Sequence, residues 1–208
     1  MLEPILRVLD NAKVSGSLEF SEPCDWRDFP HFPQFRSQTA DSSKPIQALR
    51  EILADDPKMR VSQEPNGTIR MTELGVPTDL LNLRIRHISF HNDGKEPQDT
   101  YEPNQALRAI LTAPEVAAFM QAHAIRGGGS PFVGEGIVRG VGGPVPNLPH
   151  ISGSLDNVTI SQALDYVLQT FPGVWIYEDC PGSGAQERAI YFRFFYLRNI
   201  GSGTFVEG

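Results

Sequence analysis

Thr159-Ile160-Ser161-Gln162-Ala163-Leu164-Asp165-Tyr166-Val167-Leu168, closed by Pro172 and followed by Val174-Trp175-Ile176, is the stretch on which the fold turns. Thr159 and Gln162 stand three apart, the spacing of a capping box in which each side chain satisfies a backbone N–H at the helix start. Ile160, Ala163, Leu164, Val167 and Leu168 then fall at i, i+3, i+4, i+7 and i+8, which makes one helix face a core face. Pro172 stops the helix. Val174 to Glu178 reads as the strand that follows, and the chain then passes through Pro181-Gly182-Ser183-Gly184 into a long aromatic strand, Ala189 to Leu197.

The same pattern occurs earlier in the chain. Gln47-Ala48-Leu49-Arg50-Glu51-Ile52-Leu53 with Pro57 and Met59-Arg60-Val61 lies at a constant offset of 115 positions, measured from Gln47 to Gln162 and from Pro57 to Pro172. Pro45 suits a first helical turn. Met59 to Gln63 reads as a strand, and Asn66-Gly67 is a hairpin signal leading into Thr68-Ile69-Arg70-Met71. Upstream of each copy stands a further echo, Val14-Ser15-Gly16-Ser17-Leu18 and Ile151-Ser152-Gly153-Ser154-Leu155, which alternates apolar and small residues as a half-buried strand does. These echoes lie 137 positions apart, so the first copy carries a 22-residue insertion. The fold class expected is α+β, with two related strand-helix-hairpin (βαββ) units, each a helix packed on a small sheet.

The organisation that follows is a first unit over 1–125, with an N-terminal helix, an aromatic insertion (21–44) and extra helices. A Gly/Pro-rich linker over 126–150 and a second unit over 151–208 complete it. Gln105-Ala106-Leu107-Arg108-Ala109-Ile110-Leu111 before Pro114 is a partial third echo, and Glu115 to Ala124 adds a helical stretch. Leu2, Ile5, Leu6 and Leu9 recur at helical spacing among Glu3 and Asp10, unlike the uninterrupted apolar core of a secretory signal.

Composition narrows the function. A formal net charge of −7 and a pI near 5.2 argue against nucleic acid, whose binders draw most of their affinity from clustered Lys and Arg. No run approaches the roughly 20 apolar residues of a membrane span. Cys24 and Cys180 lack CxxC spacing, leaving either one bridge in an oxidising compartment or two free thiols.

The residues Ile151-Ser152-Gly153-Ser154-Leu155-Asp156-Asn157-Val158-Thr159-Ile160-Ser161-Gln162-Ala163-Leu164, with Val174-Trp175-Ile176-Tyr177, resemble the short N-terminal domain of secretins and TonB-dependent receptors, here in two tandem copies. The resemblance implies a small βαβ-type module that makes protein contacts in the periplasm or cell envelope once a signal peptide has been removed; without it, a cytoplasmic location is expected. It supplies no catalytic residues and no cofactor.

Chemistry-bearing motifs are sparse. His87 and His91, with Asp93 nearby, would meet on one ion in a helix, but Leu83 to Phe90 alternates as a strand does, which sets the two imidazoles about 13 Å apart. Gly134-Glu135-Gly136-Ile137-Val138-Arg139-Gly140 misses the dinucleotide-loop spacing by one. Trp26, Phe29, Phe32 and Phe35 recur every third residue in the insertion, as a recognition surface or as a satellite core over the first sheet. Trp175, Tyr177, Tyr191 and Phe195 make a second aromatic group whose outer set needs a cover, from the first unit or from a partner. The function expected is a non-catalytic protein-interaction or scaffold module with another protein as partner. The alternative is a small-ligand-binding protein or hydrolase-type enzyme with a site in the cleft between the units, using His87, His91, Asp93 or Glu135.

Overall fold

The computed structural model describes residues 3–22, 43–90, 103–127, 151–182 and 188–197. Helix α1 (Glu3–Ala12) leads into strand β1 (Gly16–Ser21), and helix α2 (Pro45–Ile52) into the hairpin β2 (Met59–Gln63) and β3 (Ile69–Glu73). Strand β4 (Arg84–Phe90) precedes helices α3 (Pro103–Leu111) and α4 (Pro114–Ala122) and the two-residue strand β5 (Arg126–Gly127). Strand β6 (Gly153–Thr159), helix α5 (Ile160–Thr170) and the hairpin β7 (Gly173–Cys180) and β8 (Ala189–Tyr196) complete the order. The protein is therefore α+β; α2, α3, α4, α5, β2, β3, β4, β7 and β8 lie where their local signals put them, while the two echo strands β1 and β6 each begin two residues later than the alternation suggested. Thr159 accepts from the Gln162 backbone N–H and Gln162 reciprocates, the capping box read from the sequence.

Six strands form one mixed sheet in the order β2-β3-β1-β7-β8-β5. At its centre β1 and β7 pair in parallel from Gly16↔Val174 to Ser21↔Asp179, so strands from both halves of the chain share one ladder. Strand β7 is buried along its whole length. A strand covered on both faces reads as a continuous apolar run rather than an alternation, and Gly173-Val174-Trp175-Ile176-Tyr177 is such a run. Its odd and even residues enter different cores. Val174 and Ile176 join α1, α2 and the inner faces of β1, β2 and β3; Trp175 and Tyr177 join α3, α4, α5, β4 and the Ile190, Phe192 and Phe194 face of β8.

The sheet order divides into two groups of three. In β2-β3-β1 the last two strands are parallel, and in β7-β8-β5 they are parallel again, each group closed by an antiparallel hairpin. Because β8 and β5 run against the direction of β3 and β1, a crossover of the same hand must put its helices on the opposite face. That is the observed arrangement, with α1 and α2 on one side and α5 on the other.

This overturns one feature of the sequence reading. The Ser-Gly-Ser-Leu echoes are not equivalent strands, because β1 lies in the six-stranded sheet whereas β6 pairs with β4 in a separate two-stranded one. The same letters meet different needs. Gly16 is a close approach, where a Cβ would sit 2.8 Å from the Ile69 carbonyl oxygen, whereas Gly153 holds a φ of +105°. The helices also do not pack on separate small sheets; one sheet lies between them. Arg126 and Gly127, read as the start of a linker, pair with Ala189 and Ile190 of β8.

Two helices end on a left-handed residue other than glycine. After α1, Lys13 (φ 56°) donates to Asp10 O and Val14 to Leu9 O; after α4, Ala124 (φ 50°) donates to Gln121 O and Ile125 to Met120 O. Both are Schellman closures, in which glycine is the unstrained choice. Left-handed backbone costs an L-residue roughly 1–2 kcal/mol, so Ala124→Gly is expected to stabilise the protein by about 1 kcal/mol after glycine's greater unfolded-state entropy is deducted. A rise of about 2–4 °C in the thermal midpoint checks this.

Candidate functional site

Strand β2 terminates the sheet among the described residues. Its hydrogen bonds to β3 are bracketed by Leu74 N to Lys58 O and Glu64 N to Thr68 O, both 2.9 Å. In an antiparallel pair the bonded residues alternate. Lys58, Arg60, Ser62 and Glu64 therefore face β3, and Met59, Val61 and Gln63 direct their backbone groups away from the sheet. The Met59 and Val61 side chains are buried against α2, while Arg60, Ser62 and Gln63 are exposed.

An open row of backbone donors and acceptors is a template for another strand. Here two arginines lie across it. Arg50, at the C-terminal end of α2, donates from Nη2 to Val61 O at 3.2 Å. Arg60 donates from Nη1 to Met59 O at 2.9 Å and Pro57 O at 2.7 Å. Neither guanidinium pairs with a carboxylate among the described residues. Together with Leu53, Ala54, Asp56 and Pro57 they line an open groove of about 440 Å³ along the edge. The Asp56 carboxylate accepts from the Lys58 backbone N–H at 2.9 Å.

The other polar clusters are internal. Arg70 of β3 donates to Glu19 Oε1 (2.7 Å), Ser161 Oγ (2.8 Å) and Asp165 Oδ2 (2.9 Å), and its guanidinium lies 5.4 Å from the centre of the Trp175 ring. Trp175 Nε1 donates to Asp165 Oδ1 at 3.1 Å, and Thr72 Oγ1 to Glu19 Oε2 at 3.2 Å. Burial pushes the Glu19 and Asp165 carboxyls above their ordinary range, and Arg70 pulls both back. A second cluster holds Arg188 between the carboxylates of Asp79 and the fully buried Asp179, with Tyr177 Oη donating to Asp179 Oδ2 at 2.9 Å. Burial beside Asp179 raises the Tyr177 pKa, so this phenol holds its proton. Each cluster ties sheet to helix or loop, and its charged groups are spent on one another.

No family model, curated protein or solved structure matches this chain. The candidate site accordingly stands on the residues and their geometry.

Trp175 and Tyr177 are enclosed between the sheet and its helices, so neither offers a surface to a partner, which corrects the sequence reading. Phe195 is half-buried against the α1–α2 core, and Leu197 is covered there too, so the outer aromatic set of β8 finds much of its cover within the chain. Tyr191 is half-buried opposite Glu178. Trp26, Phe29, Phe32 and Phe35 lie outside the described residues, as do His91, Asp93 and Glu135. His87 is exposed on β4 and bonds through Nδ1 to Asp156 Oδ1 on β6 at 2.7 Å. Cys180 is disulfide-bonded, which excludes the reading of two free thiols; the other cysteine, Cys24, is outside the described residues.

Glu178 sits on the far face of β7, 3% exposed, with Arg193 Nη2 4.0 Å away. Burial pushes its carboxyl from an ordinary value near 4.5 up to about 7, against the pull of Arg193. The folded state then binds the proton more tightly than the unfolded chain. The associated stability is full below about pH 4.5 and is lost as pH rises through about 7, by at most roughly 3 kcal/mol. Glu178→Gln is expected to flatten that fall, so that urea titrations at pH 5 and pH 8 differ less in the variant than in the parent.

Arg50 and Arg60 are not legible as site residues in the sequence. An arginine near the end of an amphipathic helix, or on the polar phase of an alternating strand, carries no local signal of what it covers. The signal was the hairpin itself, since one of its two strands is free to become an edge.

Proposed function

We propose that this chain is a non-catalytic protein-interaction module of the cell envelope that binds its partner at the β2 edge of the sheet. The observation that carries the reading is that edge, with its outward backbone at Met59, Val61 and Gln63 beside an open groove. The buried charge clusters do not compete with it, because their carboxylates and guanidinium groups are committed to each other. The bonded state of Cys180 supports an oxidising compartment, where structural disulfides persist.

The finer architecture belongs to the same reading. We read the β2-β3-β1 and β7-β8-β5 groups as two related units, supported by their matching strand order, the shared hand of their crossovers and the 115-position echo between α2 and α5. In chain order β6, α5 and β7 run strand, capped helix, strand, which supports kinship with the short N-terminal domain of secretins and TonB-dependent receptors.

A photo-crosslinking residue placed at Gln63, with one at Arg7 on α1 as the control, tests the function in the native envelope. Illumination is expected to give a discrete protein adduct from position 63 and none from position 7. Adducts from position 7 alone, or from neither position, would overturn the reading.

A further inference from the structure

Resting on that reading, we propose that the β2 edge binds an extended acidic peptide segment by strand addition, with Arg50 and Arg60 exchanging their backbone partners for its carboxylates. Strand addition draws affinity from main-chain bonds and specificity from the side chains that alternate along the new strand. Val61 and Gln63 supply outward main-chain N–H groups and carbonyls, whereas Met59 offers its carbonyl alone, its N–H already donating to Asp56 O at 3.1 Å. The two arginines supply the charge preference, since both are exposed, both bond to backbone carbonyls, and a guanidinium gains more from a carboxylate than from a neutral oxygen.

The alternative occupant is a second copy of this chain, and charge disfavours it. An antiparallel pairing of two β2 edges centred on Val61 would set Arg60 diagonally across from its own counterpart, within reach of so long a side chain, and like charges brought together across strands are destabilising. In the free protein the arginines cover Met59 O and Val61 O, which protects the edge against indiscriminate pairing. A basic strand would leave them there. An acidic strand draws them off as it docks.

The probes are three fluorescein-labelled peptides of one length that alternate valine with glutamate, lysine or glutamine, read by fluorescence anisotropy at low salt. The glutamate peptide is expected to bind at least tenfold more tightly than the lysine peptide, with the glutamine peptide between them. Arg60→Glu, and Arg50→Glu combined with it, are expected to invert that order; thermal melts confirm folding, which the exposure of both positions favours. Gln63→Pro removes an outward N–H without touching the ladder to β3, and is expected to weaken the glutamate peptide about tenfold.

Equal affinity for the glutamate and lysine peptides, or an order that survives the charge reversal, overturns the proposal. So does a concentration-dependent dimer of the free chain that Gln63→Pro abolishes, because the edge would then belong to a second copy. Adducts at position 63 without glutamate-peptide binding would sink the acidic-strand proposal and leave the interaction reading standing, whereas loss of both results removes both.

Discussion

Replacing Arg70 by methionine is expected to destabilise the protein by about 3–5 kcal/mol at pH 8, because it leaves two buried carboxylates without their cation. Glu19 is 3% exposed and Asp165 9% exposed, and Arg70 bonds to both. Arg70 comes from the β2-β3 hairpin, and Asp165 and Ser161 from α5, so the cluster joins the first half of the chain to the second. Its loss should loosen the seating of α5 on the sheet as well as lower the global stability. Hydrogen exchange on α5 would show that seating.

The pH dependence of the same variant follows from the sign of the carboxyl shifts. Burial already raises Glu19 and Asp165, with Arg70 opposing it. Without the arginine both rise further and take up protons more readily in the folded state, so the variant's deficit should shrink as pH falls from 8 to 5. Glu19→Gln combined with Asp165→Asn in the Arg70→Met background should recover much of the loss, since groups of similar shape without charge need no cation. A deficit under 1 kcal/mol, or one independent of pH, would mean that water rather than Arg70 satisfies the carboxylates.

What could be read along the chain was what is decided locally. The capping box at Thr159 and Gln162, the stop at Pro172, the alternation of Leu83 to Phe90 and the Asn66-Gly67 turn each depend on a few adjacent residues, and each lies where it was expected. Strand order depends on partners far away in sequence. Nothing near Gly16 says that β1 will lie between β3 and β7, and a two-residue strand such as β5 carries no periodicity at all. The Ser-Gly-Ser echo misdirected because a glycine required by close approach and one required by positive φ look alike in sequence. Arg70 was hidden for a related reason. Ile69-Arg70-Met71-Thr72 alternates as though Arg70 faced water, and only the arrival of α5 on that side encloses it.

Trp175→Ala is expected to cost about 3–5 kcal/mol, the range for emptying a buried aromatic site. The ring is 1% exposed and lies on the β7 face turned toward α5. Packing is one of two contributions. The indole N–H also bonds to Asp165 Oδ1, so truncation removes a donor from a carboxylate that burial already disfavours. Trp175→Phe separates the two, because it keeps most of the ring and drops the donor; it is expected to cost about 1–3 kcal/mol, the penalty for a buried polar atom left unpaired. Combining Trp175→Phe with Asp165→Asn or with Arg70→Met should give losses well short of additive, as expected of residues sharing one network. Strict additivity in urea-denaturation cycles would mean that the indole and the guanidinium act on Asp165 independently, and that the cluster is a set of separate pairs rather than one clamp between sheet and helix.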